Sequence, residues 1–121
     1  MNQGVMLRLG ALFAGLAVAF GAFAAHALKE RLAVEALQTI EVGVRYQMYH
    51  GIALVLCAAL ADRGRRVGGA AVCFALGIVL FSGSLYGLAL AEWRWLGPVT
   101  PIGGVSFLIG WVLLVLSRRP G

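Results

Sequence analysis

Residues 67–91 read VGGAAVCFALGIVLFSGSLYGLALA, a run of 25 positions without a charged side chain. An α-helix rises about 1.5 Å per residue, so roughly 17 to 25 apolar residues cross a hydrocarbon core about 30 Å thick. The stretch therefore predicts a transmembrane helix. Ser82 and Ser84 within it are expected to bond to a carbonyl one turn earlier or to a neighbouring helix, rather than to line a polar path.

The composition of the whole chain agrees with a membrane protein. The 121 residues are 61% hydrophobic and 12% charged, and their mean hydropathy is +0.91. Soluble domains carry roughly a quarter charged residues, so this chain has too little polar surface for a water-soluble globule. The net charge of +5 lies in short clusters between apolar runs, which favours anionic lipid head groups over nucleic acid. Cys57 and Cys73 lie inside apolar runs and are predicted to be unpaired thiols.

Three further apolar runs approach the length of a span. We predict an all-α integral membrane four-helix bundle, a single domain over residues 1–121 with spans at about 5–28, 46–61, 67–91 and 101–117. The second run reaches spanning length only if residues 46–50 form its first turn. Thr100 followed by Pro101 is typical of a helix start. The small residues at 22–27 are similar to a signal-peptidase site, but the apolar run before them is longer than a signal core of roughly 7 to 15 residues. A retained helix is therefore predicted.

The segment 29–45, between the first two runs, has a helical pattern with one apolar and one charged stripe. A helix that is amphipathic and too polar to span lies flat in the membrane interface. We therefore predict an interfacial helix over residues 29–45. On its charged stripe, Glu41 and Arg45 are four residues apart with the acid first, the favourable order for an exposed helical ion pair.

The charges between the spans predict the orientation. One side of the membrane receives six basic residues and one acid, and the other receives four basic residues and four acids. The first group consists of Arg8, Asp62, Arg63, Arg65, Arg66, Arg118 and Arg119. Because basic residues are retained in the cytoplasm, both termini are predicted to be cytoplasmic.

Small residues indicate how the helices pack against one another. Lipid tails are as apolar as leucine, so close backbone approach through small side chains drives helix association in membranes. The glycines predicted to serve this role are Gly21, Gly83, Gly87, Gly103 and Gly110. The three tryptophans fit the interfacial aromatic belt, although Trp111 lies deeper in its span than Trp93 and Trp95 and is alternatively a packing residue.

A few polar side chains remain near the predicted ends of the spans. The candidate cluster consists of His26, Tyr46, Gln47, His50 and Glu92, with the two histidines as mutual partners. Ionisable groups at membrane depth suggest function, and four readings stay open: a hydrogen-bonded layer that locks the helices, a proton or small-solute path, a metal site, and a partner-binding surface. The metal reading is the weakest of the first three because two histidines fall short of the three or four ligands of zinc sites. We expect no cofactor.

Four stretches carry a family resemblance: GAFAAHALK (21–29), VRYQMYHGIAL (44–54), GIVLFSGSLYGLAL (77–90) and LGPVTPIGGVSFLIGW (96–111). They resemble the YgdD-like family of small multi-pass membrane proteins, catalogued as domain of unknown function 423, which includes the animal transmembrane protein 256. The chain departs from the family pattern at Ala24 and Gly51, where the family usually has Gly and Ala. The resemblance implies a four-span bundle in the bacterial inner membrane and implies no activity, substrate or catalytic residue.

The residues themselves favour a non-enzymatic role. No nucleophile–base pair, phosphate-binding loop or full metal set is evident in the sequence. We therefore expect a structural or accessory component of the inner membrane, surrounded by lipid and assembled as a homo-oligomer or within a larger membrane complex. The alternative is a small proton- or solute-linked transporter that uses His26 and His50. It ranks second because the predicted midplane stretches carry no ionisable residue, whereas transporters place one there.

Overall fold

The protein is an all-helical bundle in a computed structural model that describes residues 1–120, within which there is no strand. The elements are α1 (Gln3–His26), α2 (Val34–Asp62), α3 (Gly68–Gly77), a π-helical turn (Ile78–Ser82), α4 (Gly83–Ala91), a short 3-10 helix (Arg94–Leu96) and α5 (Val99–Val115). The helix α3, the π turn and α4 form one continuous rod, the third span. Four rods are long and apolar enough to cross a membrane, which confirms the predicted fold class.

The ends of the helices follow local capping chemistry. Asn2 begins α1, because its Oδ1 accepts a hydrogen bond of 2.8 Å from the free backbone N–H of Val5. The helix α5 begins at Val99, one residue before the predicted Thr100 start. Thr100 does not cap this helix; its hydroxyl bonds the hydroxyl of Ser84 at 2.5 Å. Pro101 then falls in the first turn, where its missing N–H leaves no helical bond unmade.

The predicted separate interfacial helix is replaced by the first half of a longer helix. Residues 27–33 are turns and bends, and α2 runs without a break through 29 residues from Val34 to Asp62. At about 1.5 Å per residue it is about 43 Å long, which exceeds a hydrocarbon core of about 30 Å. The amphipathic pattern is therefore the polar end of a long rod. The Glu41–Arg45 ion pair does form at 2.7 Å on this exposed end.

The helices α1 and α2 approach each other through glycine. A Cβ atom placed on Gly10 would lie 2.6 Å from the carbonyl oxygen of Gly51, and one placed on Gly51 would lie 2.9 Å from the backbone nitrogen of Ala14. Further along the antiparallel pair, a Cβ on Gly21 would lie 3.1 Å from the side chain of Val44. Gly10 and Gly51 leave no room for a larger side chain, so these two glycines set the register of the helices, whereas at Gly21 a small shift of the Val44 side chain would be needed.

The last span packs on the third through further glycines. A Cβ on Gly103 would collide with the backbone of Phe81, and one on Gly110 would lie 2.7 Å from the ring of Phe74. Gly87 faces the side chain of Leu96 at the end of the bundle. Gly83 is different, because nothing lies within 4 Å of its Cβ position. Of these two predicted packing glycines, Gly87 therefore points into the bundle and Gly83 points outward.

The buried apolar side chains fall into two clusters at different depths. The larger lies toward the chain termini and includes Met6, Leu54, Val67 and Phe74. The smaller lies toward the opposite end and contains Ala24, Ile40 and Ala89. Along α2, the buried residues between Ile40 and the larger cluster include a glutamine and a histidine. A polar layer therefore separates the two apolar clusters.

Candidate functional site: a polar layer in the middle of the bundle

The polar layer consists of the side chains of Gln47, His50, Ser82, Tyr86 and Trp111. His50 and Gln47 are only 5% and 6% exposed, which is unusual for such residues in an apolar bundle. They lie on α2, Ser82 and Tyr86 on the third span, and Trp111 on α5. Three of the four rods thus contribute side chains to one level of the bundle.

His50 lies near mid-depth, which corrects its predicted position at the end of a span. Its ring stacks on that of Phe107 with centroids 3.6 Å apart and an interplanar angle of 6°. Phe107 is the central residue of α5, which runs from Val99 to Val115. The prediction was wrong because it began the second span near Tyr46, whereas α2 begins twelve residues earlier, at Val34.

The partners of His50 determine the positions of its protons. The indole N–H of Trp111 donates to Nε2 at 3.1 Å, and Nδ1 lies 2.7 Å from the carbonyl oxygen of Tyr46. An indole N–H only donates and a carbonyl oxygen only accepts. Nε2 is therefore bare and Nδ1 carries the proton, so the ring is neutral with both nitrogens engaged. Protonation of Nε2 would place two N–H groups against each other.

Gln47 connects α2 to two other rods. Its Nε2 donates to the carbonyl oxygen of Phe13 on α1 at 2.8 Å, while its Oε1 accepts from the hydroxyl of Tyr86 on α4 at 2.7 Å. Tyr86 packs edge-on against Phe20 of α1, with centroids 4.7 Å apart. Its ring also fills the space beside Gly43, where a Cβ would lie 2.7 Å from it. One amide thus holds three helices in register.

Ser82 adds a bond from the third span to α2. Its hydroxyl donates to the carbonyl oxygen of Gly43 at 2.6 Å, in a buried position. Ser82 ends the π turn, a wider turn that shifts the following residues around the helix axis. Ser82 and Tyr86 are four residues apart, so they lie on the same side of the rod. This spacing was a signal in the sequence for an inward polar face.

Two predicted members of the cluster lie elsewhere. His26 and Glu92 are exposed at the end of the bundle opposite the termini, and Glu92 ends α4 with a left-handed φ of 55°. Gly21 faces Val44 in the antiparallel pair of helices. His26 and His50 follow these residues in the two helices and therefore lie on opposite sides of this contact. At 1.5 Å per residue they are about 16 Å apart along the helix axis. The predicted pairing of the two histidines is therefore wrong.

Tyr46 takes part differently from its prediction. The backbone carbonyl oxygen of Tyr46, rather than its hydroxyl, forms the hydrogen bond with His50. The Tyr46 ring packs on Phe81 with centroids 4.9 Å apart. With Phe81, Phe107 and Trp111 it lines an open groove of about 650 Å³ between α2 and α5. His50 forms part of this groove, so its ring is close to the outer surface of the bundle.

The side chains that could bind a metal ion are scattered over the described part of the chain. Within residues 1–120, no three His, Cys, Asp or Glu side chains gather closely enough to hold an ion. Cys57 is buried, Cys73 is half-buried, and both are free thiols. The backbone carbonyl oxygen of Cys73 accepts a hydrogen bond of 2.7 Å from the hydroxyl of Ser106. Cys73 therefore contributes to the packing of the third span against α5.

A bundle of four apolar rods with a hydrogen-bonded interior layer defines an integral, multi-pass α-helical membrane protein. The chain belongs to the family described as protein of unknown function (DUF423), whose model matches residues 20–104. This confirms the resemblance seen in the sequence.

Similar proteins cover nearly the whole chain. The UPF0382 membrane protein YwdK of Bacillus subtilis is 44% identical over 116 residues, covering 93% of this chain and 94% of YwdK. A UPF0382 membrane protein of Staphylococcus epidermidis is 46% identical over 114 residues, covering 93% of each chain. The UPF0382 inner membrane protein YgdD of Escherichia coli K12 is 41% identical over 119 residues, covering 97% of this chain and 91% of YgdD. No solved structure matches the chain significantly.

Proposed function

We propose that the protein is a non-enzymatic structural or accessory component of the bacterial inner membrane, acting as a homo-oligomer or within a larger membrane complex. This proposal rests on one observation: the side chains of the polar layer satisfy their hydrogen bonds within the protein. Among residues 1–120, every buried side-chain nitrogen or oxygen has a hydrogen-bond partner. Polar groups that satisfy one another stabilise the arrangement of the helices and are not left free to act on a substrate.

The hydrogen bonds of the polar layer hold the helices in fixed positions, as a structural role requires. Interhelical hydrogen bonds in membranes contribute about 0.6 kcal/mol on average and up to about 1.7 kcal/mol. The bonds of Gln47, His50 and Ser82 together connect α2 to every other rod. Each bond also requires one register between helices, so the layer favours a single packed state.

Two outward glycines favour contact with another helix. Nothing lies within 4 Å of the Cβ positions of Gly15 on α1 and Gly83 on the third span. Such positions let a neighbouring backbone approach closely in lipid. They are the surfaces through which we expect a second copy or a partner helix to pack.

The location and orientation belong to the same proposal. The relative YgdD is named an inner membrane protein. The end of the bundle that carries both termini also carries Arg63, Arg65 and Arg66, as expected for a cytoplasmic side.

The experiment that tests the proposal is extraction of the chain at native expression in polymer-bounded native membrane discs, followed by mass determination and identification of co-purifying proteins. We expect a particle larger than the monomer, which becomes monomeric in the Gly15→Leu/Gly83→Leu variant. Val79→Leu, at a position 58% exposed on the third span, is the matched control. A wild-type monomer without a partner would refute the assembly role.

A proton- or solute-linked transporter is the second candidate, and the mid-depth position of His50 favours it. An ionisable side chain near mid-bundle, beside an open groove, is where transporters hold a coupling residue. His26 has no part in this version, because it is exposed at the end of α1. Proteoliposomes containing a pH-sensitive dye separate the candidates: transport predicts a proton flux that His50→Gln abolishes and His26→Gln leaves unchanged. The structural role predicts no flux in any of the three.

A further inference from the structure

Five arginines from two distant parts of the chain lie together at the end of the bundle that carries the termini. The guanidinium Nη1 of Arg65 donates to the carbonyl oxygen of Ser117 at 2.8 Å and to its hydroxyl at 3.3 Å. The backbone N–H of Arg66 donates to the carbonyl oxygen of Arg118 at 3.0 Å. These bonds tie the loop after α2 to the segment after α5. The arginine patch is defined as Arg63, Arg65, Arg66, Arg118 and Arg119, all of which are exposed.

Among residues 1–120, neighbouring acidic side chains do not balance the charge of the arginine patch. Glu41–Arg45 is the one salt bridge within residues 1–120, and it lies on the opposite half of α2. Asp62 is the only acidic side chain in the two segments that form the patch, 62–66 and 117–119. Concentrated positive charge at one place attracts an anion from outside the chain.

The surface beside the patch is strongly apolar. Val115 and Leu116, which directly precede the C-terminal segment, are 83% and 65% exposed. Such side chains belong in hydrocarbon, so the arginines two to four residues further on lie at the depth of the lipid head groups. A ligand that satisfies both surfaces is itself amphiphilic, with a negative head and an apolar tail.

We propose that the arginine patch is a binding site for an anionic phospholipid, with the phosphodiester on the guanidinium groups and an acyl chain along Val115 and Leu116. The planar guanidinium matches the paired oxygens of a phosphate group. Within residues 1–120, Arg65 donates its side-chain hydrogen bonds only through Nη1, to Ser117, which leaves its Nε and Nη2 donors available for a phosphate group. The site does not depend on the proposed assembly role, because all of its residues belong to one chain.

The test is native mass spectrometry of the full chain, released from detergent containing defined phosphatidylglycerol and phosphatidylcholine. We expect phosphatidylglycerol to be retained and phosphatidylcholine to be lost. Each arginine near an anionic head group is expected to contribute about a fivefold gain in affinity. Arg65→Gln/Arg118→Gln is therefore expected to weaken retention about 30-fold. Arg31→Gln/Arg94→Gln, at the opposite end of the bundle, is the matched control.

Inorganic phosphate distinguishes a lipid site from a site for free anions. A millimolar excess of phosphate is expected to leave the bound lipid in place, because it offers no tail for Val115 and Leu116. Displacement by phosphate, equal retention of the two lipids, or unchanged binding in the Arg65/Arg118 variant would overturn the proposal. If that variant does not accumulate, Arg63→Gln/Arg119→Gln replaces it, since neither of these side chains takes part in a hydrogen bond within the described residues.

Discussion

Trp111 donates its indole N–H to Nε2 of His50 across 3.1 Å, and so joins α5 to α2 near the middle of the bundle. The same imidazole is stacked on Phe107 and bonded to the Tyr46 carbonyl. In lipid no water replaces a lost partner, so each of these contacts has a measurable consequence.

Removal of the indole donor is expected to destabilise the bundle. Trp111→Phe keeps an aromatic ring beside Phe74, which packs on Trp111 with centroids 4.7 Å apart, but it leaves Nε2 of His50 without a donor. The expected loss is about 0.6 to 1.7 kcal/mol in the free energy of unfolding, measured by steric trapping in bilayer discs. Trp95→Phe, at a position 69% exposed, is the control and is expected to change little. Equal stability of the two variants would contradict the importance of the bond.

Gln47 and Tyr86 are expected to be energetically coupled. Single replacements Gln47→Leu and Tyr86→Phe each break the 2.7 Å bond between the two side chains. The second replacement therefore costs less free energy of unfolding once the first has been made. A double-mutant cycle is expected to give a coupling energy of about 0.5 to 1.7 kcal/mol. The corresponding cycle with Tyr49→Phe in place of Tyr86→Phe is expected to give none. Additive effects at Gln47 and Tyr86 would show that the bond contributes nothing net.

Two adjacent glycines on α5 are expected to respond very differently to alanine. A Cβ at Gly103 collides with the backbone of Phe81, whereas one at Gly104 lies 3.9 Å from the ring of that residue, an ordinary contact. Gly103→Ala is therefore expected to cost about 1 to 3 kcal/mol, and Gly104→Ala close to nothing. Thermal unfolding in the same detergent compares them directly. Equal melting temperatures would mean that α5 does not cross the third span at Gly103.

The orientation of the bundle is open to a direct test. Reporter domains that are active only in the cytoplasm, fused after residue 64 or after residue 119, are expected to be active. The same reporters placed after residue 31 or residue 97 are expected to be inactive, because these turns lie at the other end of the rods. The opposite result would invert the topology and move the arginine patch to the outer leaflet. Different activities at 64 and 119 would contradict the four-span fold.

Much of the fold was accessible from the order of the residues. The outer limits of α1, the third span and α5 lie within two residues of the predicted 5–28, 67–91 and 101–117. The reason is local: a run without charged side chains prefers hydrocarbon wherever it occurs in the chain, and charged residues mark its ends. The beginning of α2 was missed because its first half carries charges, as segments outside the hydrocarbon do.

The composition of the polar layer needed the tertiary structure. Gln47 and His50 were placed in the candidate polar cluster, but their partners Tyr86 and Trp111 were not predicted. The Gly43 carbonyl was likewise not predicted as the partner of Ser82. Their contacts span 39 to 61 residues of sequence, and no local pattern encodes such pairings. The i, i+4 spacing of Ser82 and Tyr86 indicated that both side chains lie on one face of the third span, but it did not indicate which helix packs against that face.

The sequence by itself determined that this chain enters a membrane, how many times it crosses, and where most of the crossings end, because hydropathy is a property of each segment alone. Only the tertiary structure decided that His50 lies in mid-bundle and His26 does not. Depth and pairing depend on how far one rod slides along another, and that displacement is set by contacts such as Gly10 on Gly51 and Gly103 on Phe81, whose members lie far apart in the chain.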